Sequence, residues 1–160
     1  MLVSALLVGL LVGFVRGGRL QRLAELRPRW WPLFLLAIIL RVAASFVLGD
    51  GAQWFYTSSL WILALVALRN VALPGGWFMF AGVAANALVV SLNNGAMPVS
   101  RDAVQLAGSR FSADHLHQVV DAPPVLGDVI PVPVLGVYSL GDVLLAAGVF
   151  VLIVWTMKAL

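Results

Sequence analysis

Cysteine is absent from the 160 residues, which excludes disulfides, thiolate catalysis and cysteine-ligated metal centres. Charge is scarce as well. Asp, Glu, Lys and Arg make up 11% of the chain against 62% hydrophobic residues. The mean hydropathy of +1.02 places the sequence outside the soluble globular range. Histidine occurs only at 115 and 117. An H-x-H pair on a helix points its rings ~200° apart, and neither a third His nor an E-x-x-H partner is present. No metal and no cofactor are therefore expected. Repeats and low-complexity stretches are missing too, which leaves one domain, residues 1–160.

What is present is a series of apolar segments. They predict an all-α membrane protein with five transmembrane helices, at about 1–15, 32–48, 54–68, 77–92 and 139–157. The first is short: about 15 residues rise roughly 22 Å, below the ~30 Å hydrocarbon thickness. Its positive charge follows the apolar run, the reverse of a signal peptide.

The formal charge of +3 does not point to nucleic acid. Five of the ten basic residues, Arg16, Arg19, Arg22, Arg27 and Arg29, fall in one loop interleaved with Leu20, Leu23 and Leu26. That pattern suits an interfacial amphipathic turn on the headgroups, with Trp30 and Trp31 as an interface belt. With this loop, Arg69 and Lys158 all cytoplasmic, the N-terminus lies outside and the C-terminus inside. Membrane lipids are the expected partners.

Residues 93–138 form an extracytoplasmic lid between the fourth and fifth spans. Asn93-Asn94-Gly95 signals a turn. Ser100 caps a predicted helix over 101–107 that Gly108 stops, and Ser112 caps a second over 113–120. Residues 129–134, Val-Ile-Pro-Val-Pro-Val, can only be extended. Arg101 and Arg110 are candidates for binding a phosphate or lipid headgroup in this lid.

The chain has seven acidic residues, and two of them stand out. Asp128 lies in a proline-stiffened loop and Asp142 at the mouth of the last apolar segment. Close carboxylates repel, so one keeps its proton while the other ionises, giving an acid and a base at one pH. The fourteen residues between them cross an extended stretch and a turn, which can return the second aspartate beside the first. A plainer reading exists for each. Ser139-Leu140-Gly141-Asp142 fits a capping box, and Asp128 after Gly127 fits a turn. Two polar residues also lie inside spans, Arg41 and Asn86. They are candidates for a substrate contact, or for helix-to-helix and helix-end bonding. Asn93 and Asn94 are amides that could orient a substrate backbone, or simply a helix end and its turn.

Several stretches resemble a bacterial membrane-protein family catalogued as domain of unknown function 5317: Arg16-Gly-Gly-Arg-Leu-Gln-Arg-Leu-Ala, Asn93-Asn-Gly-Ala-Met-Pro-Val-Ser, Leu126-Gly-Asp-Val-Ile-Pro and Ser139-Leu-Gly-Asp. This resemblance implies several spans and no known activity. The tail also resembles lipoprotein signal peptidases, aspartic intramembrane proteases. Gly127-Asp128-Val129-Ile130 is similar to their first aspartate motif, Tyr138-Ser139-Leu140-Gly141-Asp142 to their second, and Asn93-Asn94-Gly95-Ala96 to their N-x-G-A motif. The likeness implies a catalytic pair of Asp128 and Asp142, with Asn93 orienting the substrate. Two departures are plain: only the lid separates the N-x-G-A-like stretch from Asp128, and no G-N-x-x-D-R motif is present.

The expected function is a metal-independent aspartyl hydrolase of a membrane-embedded peptide or lipoprotein at the outer face of a bacterial inner membrane. The competing expectation is a non-catalytic lipid- or partner-binding assembly protein. A small transporter would rest on Arg41 and Asn86 alone.

Overall fold

A computed structural model describes residues 1–47, 50–108, 115–133 and 135–158, with the side chain of residue 50 left out. Helices occupy all five apolar segments: α1 (Leu2–Val15), α3 (Trp31–Phe46), α4 (Asp50–Arg69), α5 (Gly76–Leu92) and α7 (Leu140–Lys158). Two of them, α4 and α7, are long and apolar enough to cross a membrane. The others run 14, 16 and 17 residues.

The helices pack as a row, α3 on α4, α4 on α5, α5 on α7 and α7 on α1. Small residues bring α5 and α7 together. A side chain at Gly82 would strike the backbone of Gly141 and Leu145, and one at Gly148 would meet Met79 and the carbonyl of Gly75.

The basic loop gathers at one end of this row and includes a single short turn of helix, α2 (Gln21–Ala24). The Arg19 backbone N–H and the Arg22 Nη1 both donate to the Met157 carbonyl, at 3.0 and 3.1 Å. They satisfy and neutralise the C-terminus of α7. Asn70 makes a two-way bond with the Arg29 backbone at 2.7 and 2.8 Å, tying the loop to the end of α4.

The lid covers the other end of the row and is not helical throughout. It holds a four-stranded sheet in the order β2-β1-β3-β4, built from β1 (Met97–Ser100), β2 (His117–Val120), β3 (Asp128–Val132) and β4 (Gly136–Ser139). The expectation of an all-α chain is corrected here. The first predicted lid helix is present as α6 (Arg101–Ala107), capped by the Ser100 Oγ, which accepts from the Ala103 N–H. The second is not: residues 117–120 pair in parallel with β1. Val119 and Val120 suit a strand, and the backbone of β1 needs a partner on that side. The proposed cap Ser112, the start of that helix, Arg110 and Val134 lie outside the described residues.

The β1–α6–β2 path is a crossover, the connection that two parallel strands require. The proline-rich run is extended, as expected, and forms β3, antiparallel to β4. Val99, Ala103, Ala107 and Val137 pack α6 onto the sheet. Ala44, Tyr56, Val90, Met97 and Leu116 join the sheet to the helix ends. A further clamp is the His115 ring, whose Nε2 lies 2.8 Å from the Ala44 carbonyl.

Candidate functional site: a two-carboxylate cleft beneath the sheet

The β3–β4 hairpin is what brings the two aspartates to one place. Asp128 opens β3 and stands in register with Ser139, the last residue of β4. Three residues on, Asp142 lies in the first turn of α7 and folds back on the same serine. The Ser139 N–H donates to Asp142 Oδ2 at 3.2 Å, and the Asp142 N–H donates to Ser139 Oγ at 3.0 Å. This reciprocal pair is the capping box read from the sequence.

A third residue closes the network. Asn86 on α5 donates from Nδ2 to Asp142 Oδ1 at 2.9 Å and accepts at Oδ1 from the Ser139 hydroxyl at 2.8 Å. Both oxygens of Asp142 thus accept hydrogen bonds, the pattern that suits an ionised carboxylate at a helix N-terminus.

Asp128 differs in every respect. It is 5% exposed, and among the described residues its Oδ1 has no hydrogen-bond partner. Burial pushes its carboxyl up from the usual value near 3.8 to about 7, and the charge of Asp142 pushes the same way. Both effects favour the neutral, proton-bearing form of this carboxyl.

Both carboxylates line a cleft of about 300 Å³ where the sheet roofs the helices. Arg41 and Asn86, the two polar residues singled out within apolar segments, line it as well. The Arg41 guanidinium lies 4.5 Å over the Tyr56 ring, a cation–π contact, and Nη1 reaches Ser45 Oγ at 3.5 Å. Arg41 belongs to α3 and Leu145 to α7, which are separated in the row by α4 and α5. Both face the same space, so the row curves around it.

The cleft changes character with depth. Near the sheet Met97 and Val137 share the lining with the polar groups of Asp128, Asp142, His117 and Tyr138. Away from the sheet it is lined by Leu60 and Leu63 of α4, Val83 of α5 and Leu145 of α7. Tyr56, Leu60 and Leu63 follow one face of α4 over ~10 Å of helix.

Asn93 and Asn94 are not among the lining residues. Asn93 donates to the Ala96 carbonyl and to Gln118 Oε1, both at 3.0 Å, and so ties the turn after α5 to β2. Asn94 sits in that turn at φ 52 and faces a separate hollow with Gln53, Trp54 and Ser91. No cluster that could hold a metal occurs among the described residues. Of the predicted phosphate-binding arginines, Arg101 is paired with Asp121 at the surface.

The cleft is also lined by Tyr56 and Tyr138, which no sequence motif marks as site residues, and by His117, weighed from the sequence only as half of an H-x-H metal pair. One signal was available for two of them: the chain has only two tyrosines, and both line this cleft.

A family of unknown function, DUF5317, matches residues 25–154. The chain belongs to that family. The match runs from the basic loop to the last turns of α7, so the cleft and every residue lining it fall within the family's extent. No curated protein and no solved structure matches the chain. Nothing in these comparisons supports kinship of this DUF5317 member with lipoprotein signal peptidases.

Proposed function

We propose that this DUF5317 chain is a five-span membrane protein whose cleft performs aspartic-type hydrolysis on a membrane-embedded peptide or lipoprotein. The observation that carries this reading is the buried oxygen of Asp128, without a hydrogen-bond partner among the described residues, in a cleft that the hydrogen-bonded carboxylate of Asp142 also lines.

The membrane placement has its own support. Large apolar side chains remain exposed along the helices, among them Leu11 (64%), Ile39 (63%) and Phe46 (82%). A surface of this kind is stable against lipid and not against water. The arginine-rich loop, Arg69 and Lys158 collect at the end away from the sheet. The positive-inside rule then puts that end in the cytoplasm and the sheet outside. The three shorter helices would span with help from their flanks and local bilayer thinning.

In the proposed reaction Asp142 takes a proton from water as the water oxygen attacks the amide carbon. Asp128 donates its proton to the carbonyl oxygen, giving a gem-diol. On collapse the C–N bond breaks, the amine leaves with the proton held by Asp142, and Asp128 recovers one from the gem-diol. The net change is amide plus water to acid plus amine, and both aspartates return to their starting states. Asn86 would hold Asp142 in position throughout.

The test is processing of a lipoprotein substrate by the purified protein in proteoliposomes. Asp128→Asn and Asp142→Asn are each expected to lower the rate by at least about 100-fold. An unchanged rate in folded Asp128→Asn protein rejects the reaction.

A second reading has an observation of its own. The capping box explains Asp142 without chemistry, which favours a non-catalytic protein that binds a lipid or partner in the cleft. Under that reading wild type and both variants are equally inert toward the substrate.

A further inference from the structure

Arg41 is a guanidinium with no carboxylate in ion-pair contact among the described residues. Its contacts are the Tyr56 ring and the Ser45 hydroxyl. A guanidinium carries five N–H donors, and among the described residues only the 3.5 Å bond to Ser45 Oγ engages one of them. The nearby negative charge of Asp142 is already engaged by Asn86 and by the Ser139 N–H. Asp128 offers a buried oxygen with no partner, which in the protonated form is a hydrogen-bond donor. What the polar half of the cleft leaves unpaired among the described residues is therefore one permanently cationic group, Arg41, and the buried Oδ1 of Asp128. The other half offers only aliphatic surface.

From this we infer that the cleft binds an amphiphile whose anionic oxygen-bearing head, a phosphate or a carboxylate, is held by Arg41 beside Asp128, with its aliphatic part against Leu60, Leu63, Val83 and Leu145. The inference deepens the proposed function by naming a chemical class for what enters the site, and it does not depend on hydrolysis. An anion bound by a guanidinium in a cleft of low polarity gains charge-assisted hydrogen bonds that water screens little. The apolar floor adds affinity in proportion to the chain length that it covers. A volume of about 300 Å³ suits a small head and the first carbons of a chain.

The experiment measures equilibrium binding to the full chain in an uncharged detergent, by thermal shift and intrinsic fluorescence. The probes are dodecyl phosphate, dodecanoate, dodecyltrimethylammonium and inorganic phosphate. The two anionic amphiphiles are expected to bind saturably and the cationic one not. Arg41→Gln should weaken them roughly ten- to hundredfold, while Arg41→Lys keeps most of the affinity. Leu63→Trp leaves Arg41 in place and fills the floor. It should weaken dodecyl phosphate and leave inorganic phosphate unchanged, which guards against reading misfolded Arg41→Gln protein as lost recognition.

Equal binding of cationic and anionic amphiphiles overturns the inference, as does wild-type affinity in Arg41→Gln. Inorganic phosphate binding as tightly as dodecyl phosphate overturns the amphiphile and leaves a free-anion site. Binding without any cleavage removes the hydrolase and keeps this inference; cleavage that ignores Arg41 does the opposite.

Discussion

Asn86 and Asp142 meet across the α5–α7 interface in a 2.9 Å hydrogen bond, and the same amide accepts the Ser139 hydroxyl at 2.8 Å. One side chain thereby couples two helices to the end of the sheet. Asn86 is 8% exposed, so truncation leaves Asp142 and Ser139 short of a partner in a place with little water. Asn86→Ala is expected to destabilise the fold by about 2 kcal/mol or more. Asn86→Asp should cost more, because it sets a second carboxylate against Asp142. Reversible unfolding in detergent micelles checks both.

The network exists because Gly141 has no side chain. A Cβ there would overlap the Asn86 amide and the Gly82 carbonyl. Gly141→Ala is therefore expected to push α5 from α7, break both hydrogen bonds of the Asn86 side chain and destabilise by about 2–4 kcal/mol. Gly17 provides the contrast, since a Cβ at that position meets nothing within 4 Å. Its cost should be limited to the strain of a residue at φ 76, about 1 kcal/mol. Thermal unfolding of the two variants side by side makes the comparison.

The Arg101–Asp121 ion pair should matter little. Its side chains are 55% and 82% exposed, and water screens such pairs almost completely. Asp121→Asn is expected to leave the unfolding temperature within error of wild type. A clear drop would mean that the pair anchors the α6–β2 crossover.

The helices were legible because apolar segments bounded by Arg, Gly and Pro leave little choice of structure. The N-cap at Ser100 and the capping box at Ser139 were legible too, being local patterns of four residues. The sheet was not. Pro98 and Pro131 fall within β1 and β3 and argue against paired strands, and β1 and β2 are joined by a crossover whose pairing no local pattern reveals. The same gap hid half of the cleft. Asp128, Asp142, Arg41 and Asn86 were singled out because polar groups in apolar segments need a reason. His117 and Tyr138 reach the cleft only through strand pairing. Asn93 and Asn94 stand out as a motif, and the fold places Asn93 between its turn and β2 and Asn94 against a separate hollow.

The pH dependence of stability gives the most direct reading of Asp128. Its carboxyl titrates near 3.8 when unfolded and near 7 when folded. Between those values the folded chain holds more protons than the unfolded one, so stability falls as pH rises from about 4 to about 7 and then levels off. The groups around it do not reverse that sign: Arg41 and Tyr56 from α3 and α4, His117 and Tyr138 from the sheet, and Asp142 from α7 all line the same cleft. Burial and the Asp142 charge outweigh them. The full effect is on the order of 4 kcal/mol. Asp128→Asn removes the buried charge while keeping the shape. It should therefore be more stable than wild type at pH 8, by about 1–3 kcal/mol, with the acid-side slope flattened. Urea unfolding of both proteins from pH 4 to pH 9 decides the matter. A variant less stable than wild type at pH 8 would mean that the ionised carboxylate is satisfied in the fold and the cleft does not hold a neutral acid. A more stable variant identifies Asp128 as a group kept at a cost to the fold, as expected of a residue that serves the ligand in the cleft.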